Sequence, residues 1–187
     1  KMKDENIGRK IIFVLIALFV IITAVVFVSR WRGREGKRPG TVREVPGEIR
    51  TVTLFFGNSK ADGLVSETRD ITSEGGFENE VKQVIEALLE GPEEGGHVSA
   101  IPRGTRIEMV FRVEDKKTVY LDFNRALISN HPGGSAGEYY TIKMILKTVG
   151  VNFPQVSMVQ LLVGGYPVDT IAGHYKVDSP LSVREWR

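Results

Sequence analysis

The pattern of apolar and polar positions divides the chain into an apolar segment near its beginning and a longer region of alternating character. Ile11 to Val28 is a run of eighteen residues in which Thr23 carries the one polar side chain. A helix of that length covers roughly 27 Å, close to the ~30 Å hydrocarbon core of a bilayer. We therefore predict an uncleaved transmembrane helix in contact with the lipid bilayer, because the small residues of a signal-peptide cleavage site are missing.

The flanking residues set the predicted domain boundaries. Residues 1–10 form an N-terminal tail, and residues 29–48 form a basic linker that is rich in glycine and proline and has no apolar period. Residues 49–187 then hold the folded domain.

This domain begins with two strands and an amphipathic helix. Arg50–Phe56 is β-branched and aromatic, and Leu64–Ile71 is more polar, which predicts a strand with an edge strand beside it. Apolar residues recur at helical spacing over Phe77–Glu90, and Gly91-Pro92 ends that helix.

The second half repeats the order with a hairpin, a helix and a strand. The first hairpin strand is predicted to have one apolar face, formed by Ile107, Met109, Phe111 and Val113. A helix from Ala136 to Val149 is predicted to stop at Gly150, and the strand Val156–Val163 turns at Gly164-Gly165 toward a short strand, Pro167–Ile171. The expected fold is α+β, with two helices on one face of a mostly antiparallel sheet.

Charge and cysteine content exclude several classes of function. Residues 1–49 hold ten basic and five acidic side chains, whereas residues 50–187 hold fifteen and eighteen. A mildly acidic domain is a poor match for a phosphate backbone, so we expect no nucleic-acid partner. The chain contains no cysteine, which excludes disulfides, thiolate metal sites and a cysteine nucleophile.

The glycine-rich stretch Pro132–Glu138, written PGGSAGE, is the main candidate for a site. Ser135 and Glu138 have the spacing of a capping box, in which each side chain bonds the other residue's backbone N–H. Gly133 and Gly134 would allow a sharp entry into the helix, and an anion-binding or partner-binding loop stays open as an alternative.

Catalysis is the weaker interpretation of the same stretch. Ser135, His131 and Asp122 could be assembled into a triad, but no strand leads into the serine as a nucleophile elbow requires. The three histidines, His97, His131 and His174, lack metal-ligand spacing. We therefore predict no catalytic residues, no metal and no cofactor.

Six short motifs, taken in order, resemble the family of sporulation and spore germination domains called GerM or GerMN. They cover nearly all of the chain from about residue 50, and they are ALLEGP (Ala87–Pro92), SAIPRGTRI (Ser99–Ile107), VYLDF (Val119–Phe123), GGSAGE (Gly133–Glu138), VNFPQVSMVQLLVGG (Val151–Gly165) and GH (Gly173-His174). The chain departs from many relatives in two respects. It has an apolar segment in place of a lipoprotein cysteine, and Gly164-Gly165 where a polar turn is commoner.

The resemblance implies an anchored, extracytoplasmic α+β module of the cell envelope that is associated with peptidoglycan and spore membranes. The modules of this family are similar in architecture to ring-building modules, and the resemblance implies no catalytic residues. Four basic residues precede the apolar segment and six follow it, and this charge distribution alone mildly favours a domain on the cytoplasmic side. We expect the N-terminus inside and the domain outside.

Three hypotheses for the function follow. The first is a non-enzymatic envelope domain that binds a protein or peptidoglycan. The second is a self-assembling ring component, and hence a homo-oligomer. The third is a membrane-bound envelope hydrolase that uses Ser135.

Overall fold

The computed structural model describes residue 23 and residues 48–73, 75–113 and 117–186. The chain divides into two compact units, Lys1–Glu44 and Val45–Arg187, and every described residue except Thr23 belongs to the second. The predicted membrane segment Ile11–Val28 lies outside the described residues apart from Thr23, which is helical, and so do the predicted tail and nearly all of the linker. Among the residues described, none of the helices is long and apolar enough to span a bilayer.

The first sheet consists of Glu48–Asn58 (β1), Leu64–Ser73 (β2) and His97–Val98 (β3), in the order β2-β1-β3. Both pairings are antiparallel, and β1 and β2 pair along almost their whole lengths. The predicted pairing of the first two strands is confirmed. Burial alternates along β1, which turns Val52, Leu54 and Phe56 toward the core.

The second sheet is mixed and contains five strands: Ile107–Val113 (β4), Thr118–Phe123 (β5), Met158–Val163 (β6), Tyr166–Pro167 (β7) and Leu181–Ser182 (β8). The order is β4-β5-β6-β7, with β8 also on β6, and β5 runs parallel to β6. The predicted α+β class is confirmed, and so is mostly antiparallel pairing, because β5–β6 is the one parallel pair among the described strands. The expectation of one sheet is wrong, because these strands form two sheets. Helices connect β5 to β6, and a crossover of that kind brings the chain back in the same direction. The predicted strand Pro167–Ile171 is also wrong, because its pairing ends at Pro167.

Between residues 48 and 186 the described helices are Phe77–Glu90 (α1), Ala126–Ser129 (α2) and Ser135–Asn152 (α3). α1 has the predicted bounds, whereas α3 continues beyond the predicted stop at Gly150. This glycine lies inside the helix against Val183, and a Cβ placed on it would lie 3.1 Å from the Val183 Cβ. The glycine therefore allows a close contact and does not end the helix.

Side-chain orientation along β4 also differs from the prediction. The pairing with β5 shifts register between Ile107 and Met109, which makes Glu108 the extra residue of a β-bulge. One extra residue moves the positions that follow it to the other face of the sheet. Ile107 is therefore buried, whereas Met109 and Phe111 are exposed on the outer face. The predicted common face is wrong for this reason.

One hydrophobic core includes residues of both sheets and of α1 and α3. α1 contacts strands of both sheets, and α3 packs on β1 and on α1. The Asn152 side chain accepts the Thr53 N–H at 3.0 Å and donates to the Thr53 carbonyl at 2.7 Å. The Thr148 hydroxyl accepts the Phe55 N–H at 3.2 Å. Side chains of α3 therefore occupy an edge of β1 where another strand could pair.

Leu88 tests the buried stripe of α1, because its side chain is fully buried in the core. Leu88→Ala should lower the free energy of unfolding by about 2–5 kcal/mol, as usual for a core leucine. Glu86→Ala, at an exposed position of the same helix, is the matched control and should change it by at most about 0.5 kcal/mol. Denaturant unfolding of the purified chain measures both values. Equal effects of the two substitutions would contradict the assignment of this stripe to the core.

Candidate functional site

The glycine-rich stretch before α3 starts the helix without a side-chain cap. Gly133 and Gly134 have φ angles of 85° and 83°, a region that favours glycine. Gly134 is the N-cap and Ser135 is the first helical residue, with no side-chain hydrogen bond at this cap. The predicted helix start is correct to within one residue. The predicted capping box between Ser135 and Glu138 is wrong, because Glu138 is bonded elsewhere.

Glu138 connects a distant loop to the first turn of α3 through hydrogen bonds. Its fully buried carboxylate accepts the N–H groups of Ile171 at 2.8 Å, Ala172 at 2.9 Å and His174 at 2.8 Å. The Nδ1 atom of His174 lies 3.3 Å from the same carboxylate. We call residues 168–180 the C-terminal loop. The helix and this loop are thus joined through one side chain.

Hydrogen bonding keeps the Glu138 carboxyl ionised although it is buried. Burial alone would raise its pKa. The hydrogen bonds from N–H groups of the C-terminal loop together outweigh that effect and lower the pKa below its ordinary value. Hydrogen bonds to an ionised acceptor are stronger than neutral ones. The loop is therefore held by charge-assisted bonds at neutral pH.

The direction of Glu138 could have been inferred from spacing. It precedes three buried residues of α3 at intervals of four, three and four positions, namely Ile142, Ile145 and Val149. That spacing places it on the core face, and a buried carboxylate needs donors. The sequence does not identify the donors, because the C-terminal loop has no periodic pattern.

His131 is held in one tautomer by its neighbours. Its Nδ1 accepts the Gly133 N–H at 3.0 Å, and its Nε2 lies 3.2 Å from the Thr141 hydroxyl. That hydroxyl donates to the Ala100 carbonyl at 2.7 Å, so it accepts from Nε2–H. Burial lowers the pKa of His131, and the opposing effect of the Glu138 charge is smaller. His131 is therefore a neutral structural group.

The triad of Ser135, His131 and Asp122, the weaker interpretation of this stretch, is not assembled. Both ring nitrogens of His131 are engaged by Gly133 and Thr141, so neither is directed at Ser135. Asp122 is half-buried, and its carboxylate accepts the Gly165 N–H at 2.8 Å. The carboxylate supports the turn between β6 and β7 across the sheet.

Glu67 fastens a second loop in the same way. Its buried carboxylate accepts the N–H groups of Glu93 at 3.0 Å and Glu94 at 3.1 Å, and it lies 2.7 Å from His97 Nδ1. Burial raises its pKa, but these hydrogen bonds outweigh the effect and the pKa is lowered overall. Arg69, beside it, donates to the Ala87 carbonyl at 2.8 Å near the end of α1. Sequence reasoning gave neither residue a role.

Four aromatic rings and a lysine form a half-buried surface next to the Glu138 bond. We call this set the aromatic cluster; it consists of Tyr139, Tyr140, Tyr175, Trp186 and Lys143. The Tyr139 ring centroid lies 5.5 Å from that of Tyr140, 5.7 Å from Tyr175 and 5.2 Å from Trp186. Lys143 Nζ donates to the Tyr139 hydroxyl at 3.1 Å. Two adjacent tyrosines and a late tryptophan were visible in the sequence, but nothing there indicated that they meet.

The remaining candidates offer little chemistry. Within the described ranges, no group of three His, Cys, Asp or Glu side chains could hold a metal ion. A cleft of about 420 Å³ separates α1 from the start of β4, and it is lined by Glu86, Leu89, Glu90, Thr105, Arg106 and Ile107. Its lining offers two carboxylates and a guanidinium but no nucleophile paired with a base.

Glu138→Gln should detach the C-terminal loop. The amide carries no charge and can offer only one oxygen to the three N–H groups, so the free energy of unfolding should fall by about 2–4 kcal/mol. Ser135→Ala, at the exposed first position of α3, should change it by no more than about 0.5 kcal/mol. Hydrogen exchange of Ile171, Ala172 and His174 should accelerate in the first variant alone. Unchanged exchange at these amides would contradict the role of Glu138.

Acidification should destabilise the domain in two steps. The folded-state pKa of His131 lies below its ordinary value of 6.5, so the stability from neutral His131 is lost as the pH falls from 6.5 through that pKa. The folded-state pKa values of Glu138 and Glu67 lie below 4.5, so their contribution is present above 4.5 and is lost as the pH falls through them. Denaturant unfolding at a series of pH values measures both steps. His131→Gln should remove the first step and keep the second, and loss of both steps would refute the assignment.

Comparisons with known proteins agree with this fold. A family model described as "Germane: Sporulation and spore germination" matches residues 53–169. No curated protein matches the chain. A Clostridium perfringens protein named as a candidate lipoprotein has 20% sequence identity and a TM-score of 0.53, with 73% of this chain and 89% of that chain covered.

Two structures of the sporulation protein GerM from Bacillus subtilis are also similar. Its first GerMN domain has 19% identity and a TM-score of 0.56, with 71% of this chain and 97% of that chain covered. Its tandem GerMN domains have 18% identity and a TM-score of 0.56, with 74% of this chain and 48% of that chain covered. Such low identities show a common fold alone. The family match covers more than half of this chain and confirms the resemblance seen in its motifs. The chain belongs to the Germane family of sporulation and spore germination domains.

Proposed function

We propose that this chain is a non-enzymatic, membrane-tethered domain that binds a protein of the cell envelope through the aromatic cluster. The observation that carries the proposal is the cluster itself. Tyrosine and tryptophan are enriched at protein interfaces, and they account for a large share of interface hot spots. Here four such rings lie together and partly exposed, with one cationic side chain among them.

The cluster is held in place before any partner binds. Tyr139 and Tyr140 directly follow Glu138 on α3, and Tyr175 directly follows the residues that Glu138 bonds. The Tyr140 hydroxyl also donates to the Ala61 carbonyl in the turn between β1 and β2, at 3.2 Å. A fixed surface loses less conformational freedom on binding than a mobile one does.

Ring geometry favours a protein over a glycan of peptidoglycan as the partner. The planes of Tyr139 and Tyr140 are inclined at 77°, and those of Tyr175 and Trp186 at 70°. The Tyr139 ring is tilted by 46° to Tyr175 and by 38° to Trp186. Sugar rings stack on flat, open aromatic faces, whereas the rings of the cluster are inclined to one another and partly cover each other. Catalysis through Ser135 has no support, because His131 and Asp122 are both engaged in other bonds.

The tether and the location belong to the same proposal. The segment Ile11–Val28 would hold the chain in the cytoplasmic membrane, with the N-terminus inside and the domain outside. A fold neighbour named as a candidate lipoprotein supports an anchored domain in the envelope. Assembly of this chain into a ring is the alternative, and it predicts crosslinked products that contain this chain alone.

Site-specific crosslinking tests the proposal. A photo-crosslinkable phenylalanine analogue replaces Tyr139 in the full chain, and the same analogue at Tyr166 is the matched control, since that tyrosine is 75% exposed but lies outside the cluster. Illumination of intact cells should give a discrete product with a second envelope protein from position 139 only. Adding Lys143→Glu should weaken that product by roughly tenfold, as expected for a contact inside an interface. Equal products from both positions, or none from position 139, would refute the proposal.

A further inference from the structure

Two lysines of α3 lie on aromatic rings and have no carboxylate partner. Lys143 Nζ lies 5.1 Å from the centroid of the Tyr139 ring, and Lys147 Nζ lies 4.9 Å from that of the Phe55 ring. Both lysines are half-buried, and within the described ranges neither forms an ion pair with an acidic side chain. Aromatic faces attract a cation, but they and the Tyr139 hydroxyl carry no net charge. Both positive charges therefore stay uncompensated.

This lack of partners does not come from a shortage of acidic side chains. Residues 50–187 hold eighteen acidic side chains and fifteen basic ones. Ion pairs with glutamates do form in the first half of the domain, at Arg50, Arg69, Lys82, Arg106 and Arg112. The one carboxylate of α3, Glu138, is buried and bonded to the C-terminal loop, so it cannot serve these lysines.

The two lysines also repel each other. Side chains four positions apart are neighbours on the surface of a helix, and like charges at this spacing are destabilising. Lys143 belongs to the aromatic cluster, and Lys147 lies about one turn further along the same helix. A partner that brings negative charge to both positions would remove this repulsion. The attraction is stronger than between fully hydrated charges, because both lysines are partly withdrawn from water.

We propose that the partner of the aromatic cluster is an acidic protein segment that places two carboxylates on Lys143 and Lys147. This partner chemistry rests on the proposed function and adds to it the kind of surface that is bound. Carboxylates one turn apart on a helix, or two residues and roughly 6.6 Å apart on a strand, fit the spacing of the two lysines.

Anionic lipid headgroups are the other source of negative charge at a membrane. A surface that binds a bilayer also inserts apolar side chains that project from it. The rings of the aromatic cluster are instead half-buried against one another. The structure therefore favours carboxylates of a protein over phosphates of a bilayer.

The photo-crosslinkable analogue at position 139 of the full chain tests this inference when it is combined with changes at Lys147. Lys147→Glu should weaken the protein product roughly tenfold, because its charge acts at the interface while the residue lies outside the aromatic cluster. Lys147→Arg keeps the charge and should keep the product. Lys117→Glu, at an exposed lysine in the turn between β4 and β5, is the matched control for total charge and should leave the product unchanged.

Salt and reciprocal charge reversal complete the test. In isolated membranes, raising NaCl from about 0.05 M to about 0.5 M should weaken the product of the parent chain but weaken that of Lys147→Glu little further. Mass spectrometry of the product locates the crosslinked segment of the partner. Replacing its acidic residues by lysine should reduce the product with the parent chain and restore it with the double variant Lys143→Glu, Lys147→Glu. Circular dichroism and the melting temperature show whether each variant is folded.

The outcomes separate this inference from the proposed function. A protein product that neither salt nor Lys147→Glu weakens, or a crosslinked segment without acidic residues, would overturn the acidic partner and leave the proposed function in place. A product with lipid alone, or no product from position 139, would overturn both.

Discussion

A buried, ionised carboxylate joins the two parts of the chain that form the candidate binding surface. Tyr139, Tyr140 and Lys143 belong to α3, whereas Tyr175 and Trp186 belong to the segment after β7, and the Glu138 carboxylate connects the two. An unpaired charge in the core would cost several kcal/mol, so the backbone donors must stay in place while the domain is folded. This requirement makes the position of the C-terminal loop part of the fold.

A second irregular segment is held in the same way, by a buried carboxylate that accepts backbone N–H groups. Glu67 on β2 bonds the backbone that follows α1, as Glu138 on α3 bonds the backbone that follows β7. Both loops are flanked by strands of only two residues, such as β3 and β7, which provide few ladder hydrogen bonds of their own. Each carboxylate thus accepts backbone N–H groups that such short strands leave without ladder partners, and in the C-terminal loop the buried Ile171 and Val177 add contacts with the core.

Local patterns predicted the regular elements well, and tertiary contacts explain the failures. α1 was predicted with its bounds because helical periodicity and Gly91-Pro92 are both local signals. The face of β4 was predicted wrongly because the bulge at Glu108 exists only in its pairing with β5. The division into two sheets was not predicted, because it depends on which distant strands pair. The parallel β5–β6 pair was not predicted either, because the direction of β6 depends on the crossover through α3. For the candidate site, the helix start was predictable, whereas the partners of Glu138 and the meeting of Tyr139 with Trp186 join segments far apart in sequence.

The length of α3 sets the distance and the angle between the two places where its ends are attached. Glu138 in its first turn is bonded to the C-terminal loop, and Asn152, its last residue, bonds the edge of β1. Inserting or deleting one residue between them would rotate one end by about 100° and move it by about 1.5 Å relative to the other. The hydrogen bonds of Glu138 and those of Asn152 could then not form at the same time. Changes of length among relatives should therefore fall in the loops and spare the interior of this helix.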